Sequence, residues 1–136
     1  ICLGNIYRAD DSFGLLVGEK LKEKYPEKVF SELDNDLSVF LFDLVENKQV
    51  QHVFLIDAVD FHGKPGEIIV KDDFDTKITQ ISTHTIPYEQ IKNIIEMKDK
   101  KFQLIGAQVK DLTFLGEVSE EILKAVKEVA AFFIND

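Results

Sequence analysis

With one cysteine among its 136 residues, the chain can form no internal disulfide. A single thiol suits a reducing compartment, so a cytoplasmic protein is expected. Basic residues are also short: 16 Lys and Arg against 25 Asp and Glu leave a formal charge of -9. Such a surface repels phosphate backbones and anionic lipid, which argues against nucleic-acid and membrane partners. No apolar run approaches the ~18 residues of a membrane span, and no signal peptide is visible. Neither a Walker lysine motif nor a Gly-x-Gly-x-x-Gly is present, so no ATP or nicotinamide site is expected. Repeats, low-complexity tracts and linkers are absent as well.

What the chain does have is a 45% apolar composition, enough to build a core. Its length suits one domain spanning 1–136 that buries roughly two-thirds of its unfolded surface. The apolar run is already under way at Ile1, so the first strand is expected to be truncated at its N-terminus.

The pattern alternates strand and helix. Ile1-Cys2-Leu3 reads as the end of a buried strand, and Phe13, Leu16, Val17 and Leu21 then recur at helical spacing until Pro26. Val29 to Leu33 is a short strand. Asp36 is placed to cap a helix striped by Leu37, Phe40, Leu41 and Leu44. Val53 to Ile56 is a continuous apolar run, the mark of a strand buried on both faces. After the Gly63-Lys64-Pro65-Gly66 turn comes a strand over Glu67 to Val70. That turn is too short for a crossover helix, so this strand is placed to run antiparallel. Thr85 and Pro87 open a helix carrying Ile91, Ile94 and Ile95. Phe102 to Ala107 is the next strand, and Ser119 caps a last helix striped by Ile122, Val126 and Val129. The fold class is α/β: three layers, α/β/α, with a twisted, mostly parallel sheet of about five strands and helices on both faces.

Two acidic clusters stand where apolar strands should end. The first follows Ile1-Cys2-Leu3 as Gly4-Asn5-Ile6-Tyr7-Arg8-Ala9-Asp10-Asp11-Ser12-Phe13-Gly14. The second is Asp57-Ala58-Val59-Asp60, directly after Val53 to Ile56. A buried carboxylate is costly unless it is paired, hydrogen-bonded or metal-bound, and this edge of an open α/β sheet is where ligands bind. A helix N-terminus accounts for one of Asp10 and Asp11. His84, in Ser82-Thr83-His84-Thr85, is the candidate imidazole; on its own it reads more readily as a helix-start histidine satisfied by backbone. His52 and His62 lie in no matching motif and read as bystanders.

Cys2-Leu3-Gly4-Asn5-Ile6-Tyr7-Arg8 has the spacing Cys-x5-Arg and resembles the phosphate loop of low-molecular-weight tyrosine phosphatases. A Cys2 thiolate with Arg8 would make coherent phosphoryl chemistry. Against it, Ala9 stands where that family carries Ser or Thr. None of Pro26, Pro65 and Pro87 follows an aspartate, so the Asp-Pro general acid is missing. Asp10 and Asp11 would also repel a phosphate dianion. A small buried apolar role for Cys2 is favoured.

A broader resemblance covers nearly the whole chain in order. The run Gly4-Asn5-x-x-x-x-Asp10-Asp11-x-x-Gly14 resembles the opening motif of the hydrogenase maturation endopeptidases. Phe54 to Asp60 followed by Lys64-Pro65-Gly66-Glu67-Ile68 is similar to their central strand and Pro-Gly turn. Thr83-His84-Thr85-Ile86-Pro87 resembles their histidine motif, in the form of the branch serving formate-hydrogenlyase-type enzymes. Leu104-Ile105-Gly106-Ala107-Gln108-Val109 is similar to the strand before their final loop.

The resemblance implies an endopeptidase that removes the C-terminal extension of a [NiFe]-hydrogenase large-subunit precursor after nickel insertion. It implies a metal-binding set of Asp11, Asp57 and His84, with Asp57 and Asp11 catalytic and aspartate standing at 11 where many members carry glutamate. Asp34 aligns with a family aspartate whose following glycines are replaced here by Asn35 and Asp36. Asp34 and Asp60 are candidate substrate-binding or cleft-lining residues. Two oxygens and one nitrogen suit nickel, zinc or another divalent metal and leave positions open for water or substrate. The nickel would be substrate-borne, the protein a monomer, and both metallo- and aspartic-type mechanisms stay open. Beside this stand the phosphatase-like enzyme and a non-catalytic nickel-binding protein.

Overall fold

The computed structural model describes residues 1–74, 77–81 and 86–135. The apolar run at 53–56 forms a strand that continues well past it, β1 over His52–Asp60. It therefore carries Asp57 inside the strand instead of beyond its end. Strand β4, Lys101–Gln108, runs parallel to β1 from His52↔Lys101 to Val59↔Gln108. Strand β2, Ile68–Lys71, lies antiparallel on the far side of β4, as the short turn before it requires. A two-residue strand, β3 at Thr79–Gln80, pairs antiparallel with Val59 and Asp60. The order β2-β4-β1-β3 makes an open, mixed sheet.

This corrects the mostly parallel, roughly five-stranded sheet expected from the strand–helix alternation. The segment at 1–3 does lie parallel beside β1, and the segment at 29–33 parallel beside it in turn, but Cys2 makes only single bridges, to Ile56 and to Ser31. Backbone bonds hold the arrangement: Leu3 N–H donates to Ile56 O at 3.0 Å and Cys2 N–H to Phe30 O at 2.7 Å. Each stretch is too short to build a ladder before its chain turns away. The antiparallel β2 was expected from its short turn; the antiparallel β3 is the addition that the alternation gave no sign of.

Four helices cover the sheet: α1 at Phe13–Lys22, α2 at Leu37–Glu46, α3 at Tyr88–Glu96 and α4 at Glu120–Ile134. Because successive strand side chains face opposite sides, β1 feeds two cores. Val53, Leu55 and Val59 pack with Leu41 of α2 and Ile91 and Ile95 of α3. Ile56 and Ala58 pack with Phe13 and Val17 of α1 and Ile122 of α4. Ser119 caps α4, its hydroxyl accepting from Ile122 N–H at 3.4 Å. Asp36 holds the cap position of α2 with extended backbone but makes no side-chain cap bond. No helix among the described residues is long and apolar enough to cross a membrane.

The start of α1 is pressed against the sheet at Gly14, where a Cβ would lie 2.2 Å from Leu3 O and 2.4 Å from Ile56 O. Both obstacles are backbone atoms of the sheet and cannot step aside cheaply. Gly14→Ala is therefore expected to destabilise the fold by roughly 2–4 kcal/mol, read as a lowered urea midpoint. An unchanged midpoint would show that this contact is looser than the geometry says.

Candidate active site

After Leu3 the chain must turn sharply to place the start of α1 over β1. Gly4, at φ 157°, allows this, since a Cβ there would lie 2.3 Å from Asp11 O. The turn closes with Asn5 N–H donating to Asp11 O at 3.1 Å and Asp11 N–H to Arg8 O at 2.9 Å. Ala9, at φ 44°, then starts a 3-10 turn over Ala9–Ser12 that leads into α1. The turn takes two adjacent carboxylates out of water: Asp10 is 0% and Asp11 1% exposed.

The two meet different surroundings. Asp10 Oδ2 accepts from Lys110 N–H at 2.8 Å, Asp111 N–H at 2.9 Å and the Ser119 hydroxyl at 2.9 Å. Its Oδ1 accepts from Ser119 N–H at 2.8 Å. The loop after β4 and the cap of α4 are thus fastened to the acidic turn, and Asp10 is fully engaged in holding structure. Asp11 lies near enough to Asp57 for their charges to interact. The Arg8 guanidinium, partly exposed, approaches Asp11 Oδ2 at 4.0 Å.

Asp57 is fully buried in β1. The Tyr88 hydroxyl, at the first turn of α3, donates to its Oδ2 at 2.6 Å. Its Oδ1 is buried with no hydrogen-bond partner among the described residues. Burial pushes the Asp57 carboxyl up to about 8; the Tyr88 bond pulls against this, and the charges of Asp11 and Glu32 add to the rise. Burial, and then the charge of Asp57, hold the Tyr88 phenol well above its ordinary value. It therefore stays a donor at any working pH.

Tyr88 and Glu32 are the neighbours that sequence reasoning missed. Glu32 Oε1 accepts from Gly4 N–H at 2.9 Å, bringing a third carboxylate to this edge. Its position at the carboxyl end of the 29–33 segment, the same edge as Asp57, was an available signal. Tyr88 carried less, since an aromatic at a helix start reads first as packing.

The other candidates are placed as follows. Asp60 ends β1 half-exposed; its Oδ1 accepts from His62 N–H at 3.0 Å and from Gln108 Nε2 at 3.1 Å, and these bonds hold its carboxyl below the usual range. Asp34 sits at the surface in an ion pair with Lys22. His84 lies outside the described residues. His52 stacks on Phe54 at the opposite end of β1, and His62 is exposed in the loop after it. Cys2 is sealed beneath α1, where a Cβ on Gly18 would lie 3.1 Å from its Sγ. Burial pushes its thiol up, the reverse of what a phosphate-attacking thiolate needs. The phosphatase reading fails on that geometry.

The site fits a cation in one respect. Asp57 Oδ1 is buried without a hydrogen-bond partner among the described residues, and the second carboxylate beside it meets the Arg8 guanidinium at 4.0 Å, so a further cation would complete the acceptors. Among the described residues no group of three or more His, Cys, Asp or Glu could hold a metal, so a protein-only metal centre would need a ligand from beyond them.

The contrast between the two aspartates has measurable consequences. Asp10→Ala strips acceptors from three backbone N–H groups and should cost about 3 kcal/mol or more, read by urea unfolding. Asp57 behaves oppositely. Native Asp57 keeps its proton up to about 8, whereas the unfolded chain sheds it near the ordinary aspartate value of 3.8. The native state thus binds the extra proton between those values, and its stability falls as pH rises through that window. Asp57→Asn has no such proton to lose, so its advantage over the parent is expected to grow from pH 5 to pH 8. A gap that stays constant or shrinks would mean that the Asp57 carboxyl is ionised at neutral pH.

Comparison with known proteins identifies the family. A family model described as hydrogenase maturation protease, HycI, matches residues 16–135, a stretch that begins past Asp11 and includes Asp57 and His84. A comparison with curated proteins gives no significant match. Among solved structures, the [NiFe] hydrogenase maturation protease HycI from Thermococcus kodakarensis is 29% identical with a TM-score of 0.78, covering 97% of this chain and 86% of that one. The endopeptidase HycI from Escherichia coli is 23% identical with a TM-score of 0.73, over 95% of this chain and 83% of that one. HybD from Thermococcus kodakarensis, at 21% identity and a TM-score of 0.70 over 98% and 94%, shares the fold. With its family model matched over most of its length, the chain belongs to the HycI hydrogenase maturation proteases, endopeptidases that process the large subunit of [NiFe]-hydrogenase.

Proposed function

We propose that residues 1–136 form a cytoplasmic, monomeric peptidase domain that removes the C-terminal extension of a [NiFe]-hydrogenase large-subunit precursor once nickel is in place. Asp57 and Asp11 are the catalytic carboxylates, and with His84 they meet the nickel that the precursor carries. The observation that carries this reading is Asp57 itself: buried, held by Tyr88 at Oδ2, and with Oδ1 lacking a partner among the described residues.

The chemistry follows from that environment. Without a cation, burial keeps Asp57 protonated at neutral pH, and a protonated carboxyl is no base. A nickel ion arriving with the substrate favours the charged form and drives the proton off. Tyr88 then holds Oδ2 while Oδ1 faces the cleavage site. The ionised carboxylate accepts a proton from the attacking water as its oxygen adds to the scissile carbonyl. That proton then passes to the departing amine nitrogen as the C–N bond breaks. Precursor without nickel would leave the base switched off, so cleavage reports metal loading. If zinc or another divalent metal resides here instead, Asp11, Asp57 and His84 would hold it, and it would polarise the carbonyl or the water. Asp60 and Asp34 are assigned to the substrate side, Asp60 lining the cleft and Asp34 the outer surface.

Mass spectrometry of a precursor incubated with the protein tests the reading. A C-terminal fragment is expected from nickel-loaded precursor and not from the metal-free form. Asp57→Asn should lower that release by about a hundredfold or more with its fold intact, the scale on which a missing catalytic base is felt. An active Asp57→Asn enzyme would remove Asp57 from the mechanism.

A further inference from the structure

Four large apolar side chains stand in water on the two loops fastened to the turn that carries Asp10 and Asp11. Ile6 and Tyr7 are 51% and 55% exposed in the loop before it, and Phe114 and Leu115 are 71% and 70% exposed in the loop after β4. The two loops touch, with Leu115 N–H donating to Tyr7 O at 2.6 Å. Both are anchored to the acidic turn. Asn5 N–H bonds Asp11 O on one side. On the other, the Asp10 carboxylate holds Lys110, Asp111 and Ser119, the two ends of the loop that carries Phe114.

Leu115 adds a second observation. It sits at φ 61°, a left-handed backbone that a branched apolar residue adopts at a cost. Gly116 N–H donating to Thr113 O at 2.9 Å, together with the Leu115–Tyr7 bond, pins that conformation. The loop thus holds an unfavourable backbone while keeping two large apolar side chains in solvent, where neither helps the fold. Elsewhere exposed apolar pairs lie along helices, Val39 with Phe42 on α2 and Ile94 with Met97 at the end of α3, on regular backbone and not on loops pinned to the acidic turn.

We infer that Ile6, Tyr7, Phe114 and Leu115 form the docking surface for an apolar stretch of the precursor polypeptide next to the bond that is cut. The inference rests on the endopeptidase reading, because a bond cleaved at the acid pair forces the flanking chain across the loops that frame it. The occupant is apolar because the patch is. The acidic character of the protein as a whole plays no part in holding it.

The test keeps the backbone and removes the apolar groups. Phe114→Ser with Leu115→Asn does so, since asparagine tolerates the left-handed conformation. Tyr7→Ser probes the facing loop independently. With nickel-loaded precursor and wild-type enzyme as reference, each variant is expected to melt with the parent. KM should rise about tenfold or more while kcat holds, the scale of losing buried apolar contact with a partner. A benzophenone amino acid at position 114 should crosslink to the precursor on its apolar flank. Wild-type cleavage with unchanged KM in both variants would overturn the docking surface and leave the protease reading standing. Wild-type enzyme that fails to cut a cognate, nickel-loaded precursor would overturn the protease reading and this inference with it. If sedimentation shows a wild-type dimer that both variants abolish without changing KM, the patch joins two copies of this chain and the inference fails.

Discussion

A carboxylate taken out of water needs donors in place of the water, and Asp10 receives four. They come from Lys110, Asp111 and Ser119, distant in sequence, and together they lock the loop after β4 and the cap of α4 onto the turn that opens α1. This anchor also sets the direction of Asp11. In a 3-10 turn, successive side chains point about 120° apart. With Asp10 turned to the loop, Asp11 is carried round toward β1 and Asp57. Two neighbours in one tight turn thus meet quite different surroundings.

Asp10 and Asp57 show how far environment outweighs residue type. Both are fully buried aspartates. One is saturated with donors; the other has the Tyr88 phenol at 2.6 Å, a weaker pull from the Ala58 backbone and a neighbouring negative charge. A fold optimised for stability alone would supply Asp57 with a second donor or replace it with an apolar residue. Leaving Oδ1 without a partner among the described residues costs stability, the mark of a position kept for something other than the fold. Tyr88 limits the loss to one oxygen and fixes which oxygen it is.

The sheet places these groups together. The 1–3 segment, the 30–32 segment, β1 and β4 run in one direction, so their carboxyl ends and the loops beyond them gather at one edge. Ala9 and Leu115, both non-glycine residues at positive φ, sit in those loops. Strained backbone, buried acids and exposed apolar side chains are concentrated there. At the opposite end of β1, where His52 stacks on Phe54, Asp99 also holds a positive φ, but no fully buried carboxylate lies there among the described residues.

The local elements were legible in the chain because short-range patterns decide them. The helical stripes of α1, α2 and α4, the apolar core of β1, the Ser119 cap and the antiparallel β2 follow from spacing and turn length, and the acidic clusters mark the functional edge. What pairs with what was not legible. A two-residue β3 has no periodicity to read, and the single bridges of Cys2 depend on how far a short segment runs before Gly4 turns it. The sequence could not say which of Asp10 and Asp11 is structural on grounds of composition, since both are equally suited to a helix start. Donors a hundred residues away made that choice. Nor could it nominate Tyr88 or Glu32, whose partners Asp57 and Gly4 lie 31 and 28 positions distant. Residue type and spacing set which groups could do chemistry; the packing of distant segments, by deciding which carboxylates were left short of donors, set which ones are placed to.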